Sequence, residues 1–518
     1  MQSLAQRAPP PMRLLLVDSY AIKLIEQEQV LAPRYRGWDM HSPAGKPERL
    51  HSCNYPATSK LKQCVFYACL VASLLLSSAV ETMGQTGSDE VHIAVGPDRL
   101  VAADSQKRPL VEPHLAVRPG DANHMLAAAI AEHPNLDSPD CAAFASADGG
   151  KTWTRHDLGL KDCGDPWVVV LEDGTAILTV LGNKNQAATE LLVYRSPDGG
   201  ISWPDVPHSL GAGHDHETMV VDRRLPGQRN GSFYLTTVQE FKEPVTGLDF
   251  AAAFVTHSHD AGRTFSIPTR IFPSALGFNT HLPGVLSDGT LLVSFADYNR
   301  PSLDGQEWLK TERAWVIRST DGGDHFSPPF LITESCGRSF SSMKVDFSTS
   351  GFRDRIYYLC HDYYFRNVFL HYSSDGGMTW SNPIQVNQSS GSSPLVRTPS
   401  MAVNTEGVLG VAWYDGRKDD RGFLGYLRCE NVFFTASLDG GRTFLPEVMV
   451  STEKSCPDSP ENGMVGKRFP AGGDYQGMVA LPDGSFHLLW SDSRSGVFEL
   501  RTAIIKVNSL LNDRSSKK

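Results

Sequence analysis

An eight-residue turn occurs six times along this chain, and that repetition limits the fold more than any other feature of the sequence. The copies are SADGGKTW from Ser146, SPDGGISW from Ser196, SHDAGRTF from Ser258, STDGGDHF from Ser319, SSDGGMTW from Ser373 and SLDGGRTF from Ser437. Their aspartates, Asp148, Asp198, Asp260, Asp321, Asp375 and Asp439, lie 50 to 64 residues apart. A period of that size marks one supersecondary unit repeated, not six independent sites. The Asp can accept from nearby backbone N–H groups, and Gly tolerates positive φ. The closing Trp or Phe starts the next strand and can bury a large apolar area between packed sheets. The turn is read as a hairpin staple.

Around each turn the chain alternates in short β-rich runs rather than at helical spacing. The first group is EPHLAVRP, HMLAAAIAE and CAAFASADGG; others begin at DPWVVVL, HETMVVD, NTHLPGVLSDG, RSFSSMKVDF, RTPSMAVNTEG and GDYQGMVALPDG. The expected fold is all-β: a single β-propeller of four-stranded blades over residues 89–507, with seven blades favoured over six. The seventh group lacks the turn and a fourth strand. EVHIAVGP, near residue 90, can supply that strand and close the ring, leaving no exposed sheet edge. In a blade of antiparallel strands A to D, the A–B and C–D turns share one end. The B–C loops and the links to the next blade share the other. The six Asp turns are C–D turns and therefore face away from the loop-bearing end.

The formal charge of −10, with no long basic run, argues against a nucleic-acid partner. Residues 1–88 read as a leader, and residues 508–518 as a tail. Lys60 and Lys62 precede the apolar run VFYACLVASLLL and then small residues, the order of a secretory signal over about residues 60–84. A single membrane anchor is the rival reading, since Cys64–Val80 spans 17 residues. A signal this far from Met1 implies that translation starts downstream. The expected location is secreted or periplasmic, with no stable membrane span after processing. Six cysteines follow the leader, an even count that suits disulfides in an exported protein. The strand bookkeeping pairs Cys141 with Cys163, Cys336 with Cys360 and Cys429 with Cys456, each pair meeting at the loop-bearing end.

With its six turns, residues 90–507 resemble the sialidase (neuraminidase) superfamily, whose repeated turn is the Asp box or BNR repeat. The segment YQGMVALPDGSFHLLW from Tyr475 is similar to the family's last-blade stretch, which implies Tyr475 as nucleophile. A Tyr suits that role because a substrate carboxylate beside the anomeric carbon would repel an anionic nucleophile. AAIAEHPNLDSPDCAAFASADGG resembles the stretch carrying the family's acid/base aspartate, which implies Asp137, or else Asp140. Glu217 is the candidate base for Tyr475. The family's first arginine is replaced here by Glu112, in VEPH. Arg338, Arg397, Arg417 and Arg494 are the candidates for gripping a substrate carboxylate, each of which could instead pair with a neighbouring acid.

Asp165, His214, Asp215, His216, Asn279, His281, Asp297, His361 and Asp362 are also expected at this end. The run HDHE could ligate a metal, but it reads as solvated loop, and neither a metal nor a cofactor is expected. The resemblance implies a retaining glycoside hydrolase that releases terminal sialic acid or a related acidic sugar, with an acidic glycan as partner and a monomeric state. Two alternatives stay open: a propeller lyase or hydrolase of uronic-acid polysaccharides, and a non-catalytic propeller that binds glycans or proteins.

Overall fold

The computed structural model describes residues 91–508 except 103–107, 133–138, 184–188, 224–230, 243–248, 275–276, 281, 299–312, 335–340, 363–364, 389–395, 418–428, 460–462 and 465–470. The segment expected to carry the signal or anchor lies outside the described residues. Among those described, no helix is long and apolar enough to cross a membrane.

Seven antiparallel sheets of four or five strands follow one another along the chain, and a two-stranded pair, Asp458–Ser459 with Gly463–Met464, lies between the last two. Blade one consists of Leu110–Arg118, Asp121–Ala131, Asp140–Ser146 and Thr154–Asp157. The A strands of successive blades touch one another around the axis. Blade seven takes three strands from the C-terminal end of the fold, and its fourth is His92–Val95, paired with the last strand from His92↔Asn508 to Val95↔Ile505. The chain is a seven-bladed propeller, closed by the strand expected from EVHIAVGP.

Middle strands are sandwiched between neighbouring blades, so both of their faces are apolar. Every residue of Leu409–Asp415 and of Asn431–Ser437 is buried. Tyr357 and Leu359 of blade five pack in one cluster with Val411 and Trp413 of blade six. This interleaving makes each blade part of its neighbour's core.

The repeated turns sit where blades meet. In all six, the Ser hydroxyl accepts the N–H of the residue four positions on, at 2.8–2.9 Å. It also donates to the Asp carboxylate. The second glycine takes positive φ and leaves room for the adjoining blade. A Cβ on Gly200 would stand 2.6 Å from Leu126, and one on Gly150 would stand 2.5 Å from His487 of blade seven. Any side chain at these positions would therefore push two blades apart.

Disulfides staple the opposite end. Cys141 is bonded to Cys163, joining the C strand of blade one to the A strand of blade two, and Cys429 is bonded to Cys456. Cys360 is also disulfide-bonded, while its expected partner Cys336 lies outside the described residues.

Hydrogen bonds hold the turn aspartates well below the usual carboxylate range. Asp148 is brought to about 2 by Thr152, and Asp260 to about 2 by Thr264 and Ser258 although burial opposes the shift. A lowered folded-state pKa contributes stability that is complete above the unfolded value of 3.8 and is lost as pH falls through the folded one. The propeller should therefore lose stability steeply between about pH 4 and pH 2. Asp375 bonds Ser373, Met378 and Thr379. Asp375→Ala should cost about 1–2 kcal/mol in denaturant melts at neutral pH, show less acid dependence, and leave ligand binding at the other end unchanged.

Candidate functional site

The shared register of the blades gives the site its geometry. On the B strand, the residue opposite each turn serine is Met125, Ala176, Phe233, Leu291, Ile356 or Leu409. Their partners on the A strands are Val117, Val170, Val221, Val285, Val345 and Val403, and Ala480 holds the same place in blade seven. Counting back five residues reaches Glu112, Asp165, His216, Thr398 and Tyr475 in blades one, two, three, six and seven.

The first four share one distortion. The ladder slips between Val111 and His114, Gly164 and Trp167, Asp215 and Thr218, and Arg397 and Ser400. The residue inside each slip has φ between 44° and 55°. That region is costly for side chains other than glycine, and most of all for β-branched Thr398. One strained bulge, repeated by the fold, thus sets a ring of polar side chains at the loop-bearing mouth.

Beneath that ring lies a cavity of about 110 Å³, bordered by Trp167, Glu217, Lys344, Asp474 and Tyr475 among others. His114 stacks on Trp167 with ring centres 3.8 Å apart, and Trp167 meets Tyr475 edge-on at 6.0 Å. Glu112 latches the segment that carries Tyr475: its carboxylate accepts the Asp474 N–H at 3.0 Å, and its own N–H donates to the Gly472 carbonyl at 3.2 Å. Gly473 must lack a side chain, since a Cβ would lie 2.1 Å from Glu112. Glu112, which stands in place of the arginine of the resembled family, is a positioning residue.

The floor is acidic. Glu217 is 1% exposed, and among the described residues neither of its carboxyl oxygens has a hydrogen-bond partner beyond its own backbone N–H. Burial, then the charge of Asp165, pushes its pKa well above 4.5, which favours the protonated form. The Tyr475 hydroxyl is buried without a hydrogen-bond partner among the described residues. Burial, followed by Glu112, Asp165, Glu217 and Asp474, raises it well above 10. Asp474 is pushed up to about 6 by burial and by Asp165, against the pull of His216 and Arg397.

Asp165, Asp215 and His216 place ligand-type atoms within 4.8 Å of one another. His216 lies between the two carboxylates, 4.0 Å from Asp165 and 3.7 Å from Asp215.

Of the expected catalytic residues, the structure brings Tyr475 and Glu217 to one cavity, while Asp137 lies outside the described residues. Asp140 caps the link to blade two, accepting from Cys141, Gly159 and Leu160 at 2.7–3.2 Å. The expected arginine clamp is not assembled at this cavity by the arginines described. Arg397 gives its Nε to both Glu430 oxygens at 2.8 Å and lies over the Tyr414 ring at 4.2 Å. Arg417 pairs with Asp415 and Glu447, and Arg494 with Asp492 and Asp98. None of the three borders the cavity, and Arg338 lies outside the described residues. His214 bonds Thr237 and Gln239, and His361 bonds the Asp362 carbonyl, each in a local role.

Sequence reasoning missed Asp474, Trp167, His114 and Lys344. The signal for the rim was available in the repeat. Glu112-Pro113, Asp165-Pro166 and Thr398-Pro399 share one place, and in blade three Glu217 occupies the proline position.

No protein-family profile matches the chain, and no curated protein does. Among solved structures, a NanB sialidase variant from Streptococcus pneumoniae is similar at 13% identity and a TM-score of 0.40, covering 84% of this chain and 72% of its own. An α-L-arabinanase from Penicillium chrysogenum is similar at 13% identity and 0.42, covering 62% and 94%. An ulvan lyase is similar at 11% identity and 0.44, covering 82% and 100%. These are likenesses, and none carries an activity over to this chain.

Glu217 yields a prediction with a definite sign. A raised folded-state pKa contributes stability that is complete below the unfolded value of 4.5 and is lost as pH rises toward the folded one. Glu217→Gln, which mimics the protonated form, should therefore melt close to wild type near pH 4 and above it near pH 8. Equal melting temperatures at both pH values would contradict a raised pKa at the buried Glu217.

Proposed function

We propose that the funnel is the active site of a retaining glycoside hydrolase acting on a terminal sugar. The observation that carries the reading is the meeting in one cavity of the Tyr475 phenol and the Glu217 carboxyl, both buried without a side-chain partner among the described residues, beside Asp165 and Asp474. In this reading Tyr475 attacks the anomeric carbon while Asp165 or Asp474 accepts the phenol proton. Glu217 gives its proton to the departing oxygen and then, as a carboxylate, activates water to release the sugar. Its role is thus acid first and base second, rather than base for Tyr475 alone. Pairs of titratable groups driven apart by their surroundings divide the work in this way. The Trp167 and His114 rings offer an apolar face for a sugar ring.

A neutral nucleophile suits an anomeric carbon flanked by a carboxylate, so a terminal acidic sugar such as sialic acid is the first substrate class proposed. A second class, neutral terminal sugars, is favoured by the floor itself, where Asp165, Glu217 and Asp474 share the described lining with a single lysine, Lys344, and no arginine.

An aryl sialoside and neutral aryl glycosides assayed side by side separate the two classes. Whichever is cleaved, Tyr475→Phe should lower kcat by about a thousandfold or more with little change in melting temperature. Glu217→Gln should lose most activity toward poor leaving groups and less toward activated aryl ones. A wild type that binds glycans without turnover would overturn the hydrolase reading, and so would a fully active Tyr475→Phe.

A further inference from the structure

A second cavity, of about 380 Å³, continues along the propeller axis from the floor of the first toward the end that carries the repeated turns. The two share His114, Trp167, Leu282, Lys344 and Met478, which form the partition between them. One residue before the valine level defined above, six blades contribute Ala116, Val169, Val220, Gly284, Ala402 and Val479. Blade five contributes Lys344. A lysine therefore interrupts a ring that is otherwise small or apolar. Two residues beyond the same valine level, in blade three, Arg223 also borders this space. Arg118, whose Nε donates to the Glu172 carbonyl at 3.2 Å, borders it as well.

The charge in this space is one-sided. Among the described residues, the cavity is bordered by these three cations and by no aspartate or glutamate. Neither Lys344 nor Arg223 makes a hydrogen bond or ion pair with any described residue. They stand close enough that the arginine, after burial, helps hold Lys344 down to about 8. Burial, and then Lys344, brings His114 to about 3, which leaves its ring neutral. Lys344 is half-buried and Arg223 is exposed at the rim of this space. Two cations there with no described acid beside them favour a mobile counter-charge, and a lysine point charge beside a guanidinium fork matches the oxygens of a tetrahedral anion.

We propose that the axial cavity binds a tetrahedral oxyanion, phosphate or sulfate, free or carried as an ester on a sugar, between Lys344 and Arg223. The site is distinct from the acidic funnel above it, although Lys344 borders both. An anion there stabilises the charge of Lys344 directly beneath the candidate active site.

Thermal melts of the intact protein in inorganic phosphate, at ionic strength held constant with sodium chloride, test the site. Wild type should show a saturable rise in melting temperature, with glucose 6-phosphate and glucose as the arms that separate an ester-borne group from a free anion. Arg223→Met should raise the half-saturating phosphate concentration about tenfold or more, the loss of one charge-assisted contact, while leaving turnover in the funnel unchanged. Lys344→Met should abolish the phosphate response and, with no oxyanion present, melt above wild type because an unpaired charge is gone. No saturable response in wild type would overturn the proposal, as would equal responses in wild type and both variants. The failure of glycosidase activity would leave these melts unaffected, so the two readings fall separately.

Discussion

The closure of the ring is the interaction on which the other parts of this structure depend. His92–Val95 pairs with the last strand of a fold that began more than 400 residues earlier in the chain, so the seventh blade is completed and the ring is closed by the chain's two ends. Asp98 locks the seam. Its side chain is 1% exposed and accepts from Arg494 at 2.8 Å, from Arg501 at 2.7 Å and from the Thr452 N–H at 3.1 Å. A buried carboxylate held by two guanidinium groups is costly to break from either side. The seam also sets the functional geometry, because Asp474 and Tyr475 arrive on blade seven and are fixed by Glu112 of blade one. Without closure, the acidic floor would lose two of its walls.

The fold was legible because its information is local and repeated. Each Asp turn contains its own hydrogen bonds between residues two to four apart, and six copies reveal a period that no single copy could. The closing strand was legible for a different reason: the seventh group visibly lacked a strand, and EVHIAVGP had no other place. The arginines show where such reading ends. Arg494 stands two residues from Asp492, and that pairing could be guessed locally. Its second partner, Asp98, is almost 400 residues away and becomes a neighbour only when the ring closes. Arg397 likewise turns toward Glu430, 33 residues on, by a geometry that strand order alone does not specify.

The candidate site follows from the same repetition read with attention to its exceptions. Seven A strands deliver nearly the same backbone to the axis, and the strained bulge in four of them presents Glu112, Asp165, His216 and Thr398 at one level. Chemistry then depends on which residue each blade places on that shared frame. Glu217 replaces a proline, Tyr475 takes the rim position in blade seven, and Lys344 breaks a ring of small and apolar side chains below. Substitutions against the repeat are the informative ones, because the fold itself does not require them.

The central claim is that Tyr475 forms the bond to the sugar, and trapping that bond tests it most directly. A fluorinated glycosyl fluoride of whichever sugar the protein cleaves should slow the release step and let the covalent intermediate accumulate. Peptide mass spectrometry should then find the sugar on the peptide containing Tyr475 and fragment it to that side chain. An adduct on Asp165 or Asp474 would make a carboxylate the nucleophile and would contradict the assignment. Turnover of the parent glycoside with inversion at the anomeric carbon would contradict the mechanism altogether.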